Sequence, residues 1–159
     1  MISVDQYLAE VLSIAHPLAP LDMPLLDAHG ATLASDIYAG ERLVIRSGGR
    51  IRSTHIGLAA SIGLDHLPTR PHPRVVVISA GADLTEPGHA IDERHSYESN
   101  SWLLTTAVRE AEAIGYRVHT IPDTTQELKD LIEDQLVRAD LVVISSGPHS
   151  VEMMRSALN

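Results

Sequence analysis

The run Val75-Val76-Val77-Ile78 is entered through Arg74, broken off at Ser79-Ala80-Gly81, and carries no polar alternation. Such a run predicts a strand over 74–79, covered on both faces in a parallel sheet. The pattern then switches between two periods. A long loop is predicted over 82–96. Trp102, Leu103, Ala107 and Ala111 follow at helical spacing behind Ser99 or Asn100 as cap. Tyr116 to Ile121 reads as a second strand, ended by Pro122-Asp123, and 124–138 as a helix capped by Thr124 or Thr125. Leu141 to Ile144 is a third short apolar run that stops at small residues, Ser145-Ser146-Gly147, and a last helix is predicted over 150–158. Strand, helix, strand, helix, strand implies right-handed crossovers and a mainly parallel sheet, so both small-residue ends open on one edge. Small residues there let a ligand approach the backbone, in the crevice where open α/β sheets bind ligands.

The first part of the chain has another texture. Ser3 and Gln6 have capping-box spacing, and Val4, Leu8, Val11 and Leu12 recur at helical intervals, predicting an amphipathic helix over 3–15. Pro17, Pro20 and Pro24 impose an extended connector. A short helix over 24–29 closed by Gly30, a strand over 32–38 and another over 40–45 are expected next. Gly48-Gly49 is followed neither by Gly-Lys-Ser/Thr nor at once by a helix, so it reads as a turn rather than a phosphate cradle. Ser53 caps a helix through Ile62, stopped by Gly63. Pro68, Pro71 and Pro73 predict a stiff linker and a domain boundary near His72, dividing the chain into 1–72 and 73–159. The expected fold is a small N-terminal α+β region followed by a three-layer α/β domain with a mainly parallel sheet.

Composition narrows the function. Aromatic residues are 3% of the chain against 44% hydrophobic, so the core must be aliphatic, as α/β sheets are. Twelve Lys and Arg against 21 Asp and Glu leave a formal charge of −9, which argues against nucleic acid as a partner. The absence of cysteine excludes a disulfide framework, a thiolate metal site and a thiol nucleophile. The first residues lack the charged and apolar regions of a signal peptide and no apolar run is long enough to span a bilayer, so a cytoplasmic location and no membrane partner are expected. The nine histidines show no metal-ligand spacing.

Four stretches together carry a resemblance: 3–6 with 18–37; 40–43 through 56–63; 77–88, Val-Ile-Ser-Ala-Gly-Ala-Asp-Leu-Thr-Glu-Pro-Gly; and 97–101 with 139–147. In order and spacing the chain resembles the molybdopterin molybdenumtransferase family, to which the C-terminal domain of gephyrin belongs. That family inserts molybdate into the dithiolene of molybdopterin while hydrolysing an adenylate. The resemblance implies a molybdopterin-binding domain, with molybdopterin as ligand or substrate and room for Mg²⁺. It implies Asp83 as catalytic acid and metal ligand, and Ser79, Gly81, Ser99, Asn100, Ser145, Ser146 and Gly147 as the residues around the bound pterin phosphate. From the residues alone, Ser145 to Gly147 serve equally as a solvated strand-to-helix turn, Asp83 as an exposed loop acid, and Ser99 and Asn100 as helix caps.

The departures are as informative. The family carries an inserted domain with an Asp-Asn-Ser-Ala-Met-Asp-Gly-Tyr motif where Ala39 here runs into Gly40. Its first loop reads Thr-Gly-Asp-Glu-Leu, against Ala80-Gly81-Ala82-Asp83-Leu84, and its second Ser-Gly-Gly-Val-Ser, against Ser146-Gly147-Pro148-His149-Ser150. The expectation is therefore a molybdopterin-binding protein of molybdenum cofactor biosynthesis with reduced transferase activity, homodimeric, or completed by a companion chain that supplies the missing domains. The alternative is a non-enzymatic interaction or scaffold protein that has lost the ligand.

Overall fold

The computed structural model describes residues 2–119, 121–147 and 151–158. The chain divides into two compact units, Met1–Pro71 and His72–Asn159.

The first unit opens with helix α1 (Val4–Ile14), started by the expected capping box: Ser3 Oγ accepts from Gln6 N and Gln6 Oε1 from Ser3 N. No residue of α1 is buried, and Val4, Leu8 and Leu12 of its apolar stripe are exposed. The prolines after it lead into β1 (Leu21–Pro24) rather than a plain connector. The helix expected over 24–29 is a turn instead. Its amides are drawn away from a helical ladder, Leu25 N to Asp65 O and Gly30 N to Ile51 O, and Gly30 adopts φ +87°. The strand expected over 32–38 is broken into β2 (Thr32–Leu33) and β3 (Ile37–Ala39), because the carboxylate of Asp36 turns to accept from Ser47 N at 2.7 Å. That bond, with the nearby Ser47 hydroxyl, holds the Asp36 carboxyl below its usual range.

A hairpin joins β3 to β4 (Arg42–Ile45), with Ala39 paired to Arg42 and Gly40 at φ +60°. Helix α2 (Ser53–Ser61) is led by Arg52, not Ser53, and Arg52 N donates to His55 Nδ1. Strand β5 (His66–Arg70) overturns the linker expected from Pro68: it is the middle of the antiparallel sheet β1-β5-β2. Pro68 is tolerated because it faces Asp22 in the same alternate set as His66 facing Pro24. Neither proline can donate, so the ladder bonds fall on Leu21–Thr69 and Met23–Leu67. Leu33, Ile45, Ile51 and Leu67 centre the core of this unit.

In the second unit β6 (Arg74–Ala80) is the central strand, flanked in parallel by β9 (Ile114–Arg117) and β10 (Leu141–Ser146). Between β6 and β9 lie the short parallel pair β7 (Leu84–Thr85) and β8 (Ser96–Tyr97), inside what was expected to be plain loop, and helix α3 (Asn100–Glu110). Helix α4 (Thr125–Leu136), capped by Thr124 Oγ1 accepting from Glu127 N, precedes β10, and α5 (Val151–Ala157) follows it. Pro148 and the expected cap Ser150 lie outside the described residues.

The unbroken apolar run of β6 works as its pattern requires. Val76, Ile78 and Ala80 pack on one face against Leu128 and Ile132 of α4 and Ala157 of α5, while Val75, Val77 and Ser79 turn to the other face, where α3 lies. The result is three layers. β9 sits earlier than the expected 116–121 because Gly115 lets α3 come close: a Cβ there would stand 2.9 Å from the carbonyl oxygen of Thr105. A salt bridge between Arg74 and Asp140, with Arg74 N also donating to that carboxylate at 2.7 Å, pins the start of β6 to the start of β10 and holds the Asp140 carboxyl below its usual range.

Candidate functional site

The parallel register of β6 and β10 sets Ser145 beside Ser79 and Ser146 beside Ala80, so the two small-residue strand ends are adjacent. Beyond β6 the chain turns away. Gly81 N donates to Pro122 O at 3.2 Å and its carbonyl accepts from Leu84 N, which folds the first loop back. On the second loop Gly147 approaches the first. A Cβ on Gly147 would lie 4.0 Å from Asp83 Oδ2, the one contact within that distance among the described residues. Asn100, the first residue of α3, donates from Nδ2 to Ser145 Oγ at 2.8 Å. The crevice thus has Ser145, Ser146 and Gly147 on one side, Asp83 facing Gly147, and Asn100 closing one end.

Beneath it lies a carboxylate for which the sequence reading assigned no role. Glu98 is 1% exposed. Its Oε1 accepts from Ser79 Oγ at 2.6 Å and from Ser101 N at 2.7 Å, and its Oε2 from Ser101 Oγ at 2.6 Å, with Arg117 Nη1 at 3.6 Å. Burial acts to raise its pKa, but the bonds from Ser101 and Ser79 and the charge of Arg117 outweigh it and hold the group below its ordinary value. Arg117 in turn donates to Glu86 Oε1 at 2.6 Å and lies over the Trp102 ring, 4.2 Å from its centroid.

This network alters several expectations. The hydroxyl of Ser79 donates to Glu98 and the amide of Gly81 to Pro122 O, so these two donors are engaged within the chain. Ser99 holds the cap position of α3 but makes no side-chain capping bond; Glu98, one residue earlier, takes the Ser101 amide in its place. Asn100 is engaged with Ser145. Asp83 and Gly147 are brought together. Among the described residues no group of three or more His, Asp or Glu side chains is placed to hold a metal ion. One carboxylate from Asp83 does not fit a cation that takes six oxygen ligands, even with water supplying several, so the expectation of a protein-held Mg²⁺ finds no built site. Asp123, after β9, is directed elsewhere: its amide donates to Glu127 Oε2, and the hydrogen bond and charge of Glu127 raise the Asp123 pKa.

Arg117 escaped the sequence reading because it acts on residues distant in the chain, and Glu98 because its bond to Ser101 is local but its bond to Ser79 is made only by the fold. The signal available was positional. Gly115 and Arg117 alternate on one face of β9, which places the guanidinium on the α3 side.

Comparison with known proteins gives the site its context. No family model matches the chain. Molybdopterin molybdenumtransferase 2 of Mycobacterium tuberculosis is 38% identical over 112 residues, covering 70% of this chain and 27% of that protein. Molybdopterin molybdenumtransferase 1 of the same organism is 32% identical over 126 residues, 78% of this chain and 29% of that protein. Gephyrin of Dictyostelium discoideum is 30% identical over 127 residues, 72% of this chain and 18% of that protein. The chain is a homologue of the molybdopterin molybdenumtransferases. It spans less than a third of the length of these relatives. Its fold is also that of the molybdopterin biosynthesis MoeA protein of Pyrococcus horikosii, with a TM-score of 0.77 at 17% identity over 99% of this chain and 66% of that one. A molybdenum cofactor biosynthesis protein of Pyrococcus furiosus matches with a TM-score of 0.67 at 23% identity, over 88% and 52% of the two chains. Where the resemblance to molybdenumtransferases expects an inserted domain, the structure has the tight hairpin between β3 and β4, two residues long. No helix among the described residues is long and apolar enough to cross a membrane.

Proposed function

We propose that the chain is a molybdopterin-binding module of molybdenum cofactor biosynthesis with reduced transferase activity. The observation that carries this reading is the adjacency of the two small-residue strand ends, with Gly147 open to the crevice. Backbone there can approach a pterin phosphate closely, as ligands do at the carboxyl ends of parallel strands. Ser145, Ser146 and Gly147 hold the phosphate, and Asn100 orients Ser145. Asp83, beside Gly147, serves as a general base or a point of electrostatic contact, and without the acidic motif of the inserted domain the chain carries a fraction of transferase chemistry. A homodimer, or a companion chain that supplies the inserted domain, completes the assembly.

A second reading, an interaction or scaffold protein without ligand, is favoured by one specific observation: Ser79 and Gly81 are satisfied internally. Anaerobic calorimetry with molybdopterin and with its adenylated form decides between them. Binding at micromolar affinity or better, ~−8 kcal/mol, supports the module; no heat with either form supports the scaffold. Gly147→Val separates site from fold. Gly147 does not need a left-handed backbone and its Cβ would meet nothing closer than 4.0 Å among the described residues, so valine is expected to leave the fold intact. It is expected to abolish binding by blocking backbone approach.

A further inference from the structure

A recess of about 330 Å³ lies between α3 and the edge strand β9, lined by other residues than the crevice, among them Trp102, Thr105 and Arg109 of α3 together with Arg117 and His119. Of the described residues that line it, none is acidic, in a chain whose formal charge is −9. Thr105 is 5% exposed, yet its Oγ1 has no hydrogen-bond partner among the described residues. An unpaired buried hydroxyl is costly in a folded chain, and Thr105 is one of the residues that line the recess. Arg109 is fixed by donating from Nε and Nη2 to Gly115 O at 3.3 and 3.0 Å. Arg117 is held over the Trp102 ring, its Cζ 4.2 Å from the centroid. Because a guanidinium only donates, the 3.0 Å approach of Arg117 Nη2 to His119 Nδ1 makes that nitrogen the acceptor and leaves Nε2 as a donor.

We propose that this recess binds a small aromatic anion, a planar ring bearing a carboxylate or phosphate-like group. The acid group is met by the charge of Arg109 and by the Thr105 hydroxyl, which gains the partner it lacks. The ring lies against the Trp102–Arg117 stack, where a flat π-system is favoured on both counts. The volume stands at the lower end of the range for small-molecule sites, which limits the ligand to one or two rings.

The chain has a single tryptophan, so its indole N–H gives one NMR signal placed at the recess itself. The probes are phenylphosphonate, inorganic phosphate and benzamide, titrated against the whole chain. The expected result is a saturable shift of the Trp102 signal with phenylphosphonate, and binding at least about tenfold weaker for the two probes that lack either the ring or the charge. Arg109→Gln should remove the response. Since Arg109 also braces Gly115, Thr105→Val is the cleaner variant. It deletes an unpaired hydroxyl, keeps the fold, and should weaken phenylphosphonate about fivefold. The proposal is overturned by the absence of a saturable shift, by an equal response to benzamide or to inorganic phosphate, or by unchanged affinity in folded Thr105→Val. None of these outcomes bears on the molybdopterin titration, which reads the crevice.

Discussion

Replacing Glu98 by glutamine tests whether a buried carboxylate holds the floor of the crevice together. The wild-type group accepts three short bonds, from Ser79 Oγ, Ser101 N and Ser101 Oγ. Glutamine keeps the shape and one acceptor oxygen but loses the charge. A hydrogen bond to a charged group contributes about 1.5–3 kcal/mol against about 1 for a neutral one, and the three are not additive, so the expected loss is about 2–3 kcal/mol. The new amide hydrogens also face Arg117, 3.6 Å from Oε2 in the wild type. With an m-value of about 2 kcal/mol/M, the urea midpoint should fall by roughly 1 M.

Trp102 fluorescence is the right probe, because the indole lies under Arg117, which approaches Glu98 in the same unit. The pH dependence carries the sign. Glu98 has a folded pKa below its ordinary value of 4.5. Its contribution is therefore present in full above the unfolded value and is lost as pH falls through the folded one. Glu98→Gln should narrow the gap to wild type as pH is lowered from 5 toward 3. An unchanged midpoint at pH 7, or a gap that stays constant down the acid limb, would refute the assignment.

Three other outcomes are expected. Gly115→Ala should destabilise the second unit by about 1–3 kcal/mol in urea melts, because the added Cβ meets backbone 2.9 Å away and α3 must shift. Asp92 is held down to about 2, first by its bond to His95 and then by the Arg94 amide, so carboxyl NMR should show its midpoint rising toward the ordinary range in His95→Ala. Glu127→Gln should lower the raised pKa of Asp123, since that shift comes from the Glu127 carboxylate; an unmoved Asp123 midpoint would reject the pairing.

How far the fold could be read in advance depended on where each signal was stored. The run Val75 to Ile78 specifies a central strand by itself, since a strand covered on one face would alternate. Ser3 and Gln6 specify their helix start by a local bond. Pro68 misled because its tolerance is a matter of register: the same proline breaks a ladder or not depending on which partner it faces. The pairing of Leu84–Thr85 with Ser96–Tyr97 is too short to leave a period. At the crevice, the small-residue strand ends were legible. The commitment of Ser79 to Glu98, nineteen residues on, was not, because only the fold brings the two together.

The central place of β6 has a consequence for how the second unit comes into being. The strand cannot be completed by the segment next to it in sequence; one neighbour arrives with β9 and the other only with β10, whose clasp to Arg74 through Asp140 closes a separation of 66 residues. Contacts of that range are made late and slowly, after the intervening chain has lost much of its freedom. During synthesis, the apolar β6 therefore waits half-covered until Leu141 to Ser146 have emerged. The crevice, whose two walls are the ends of β6 and β10, cannot form before β10 pairs and is lost when β10 detaches.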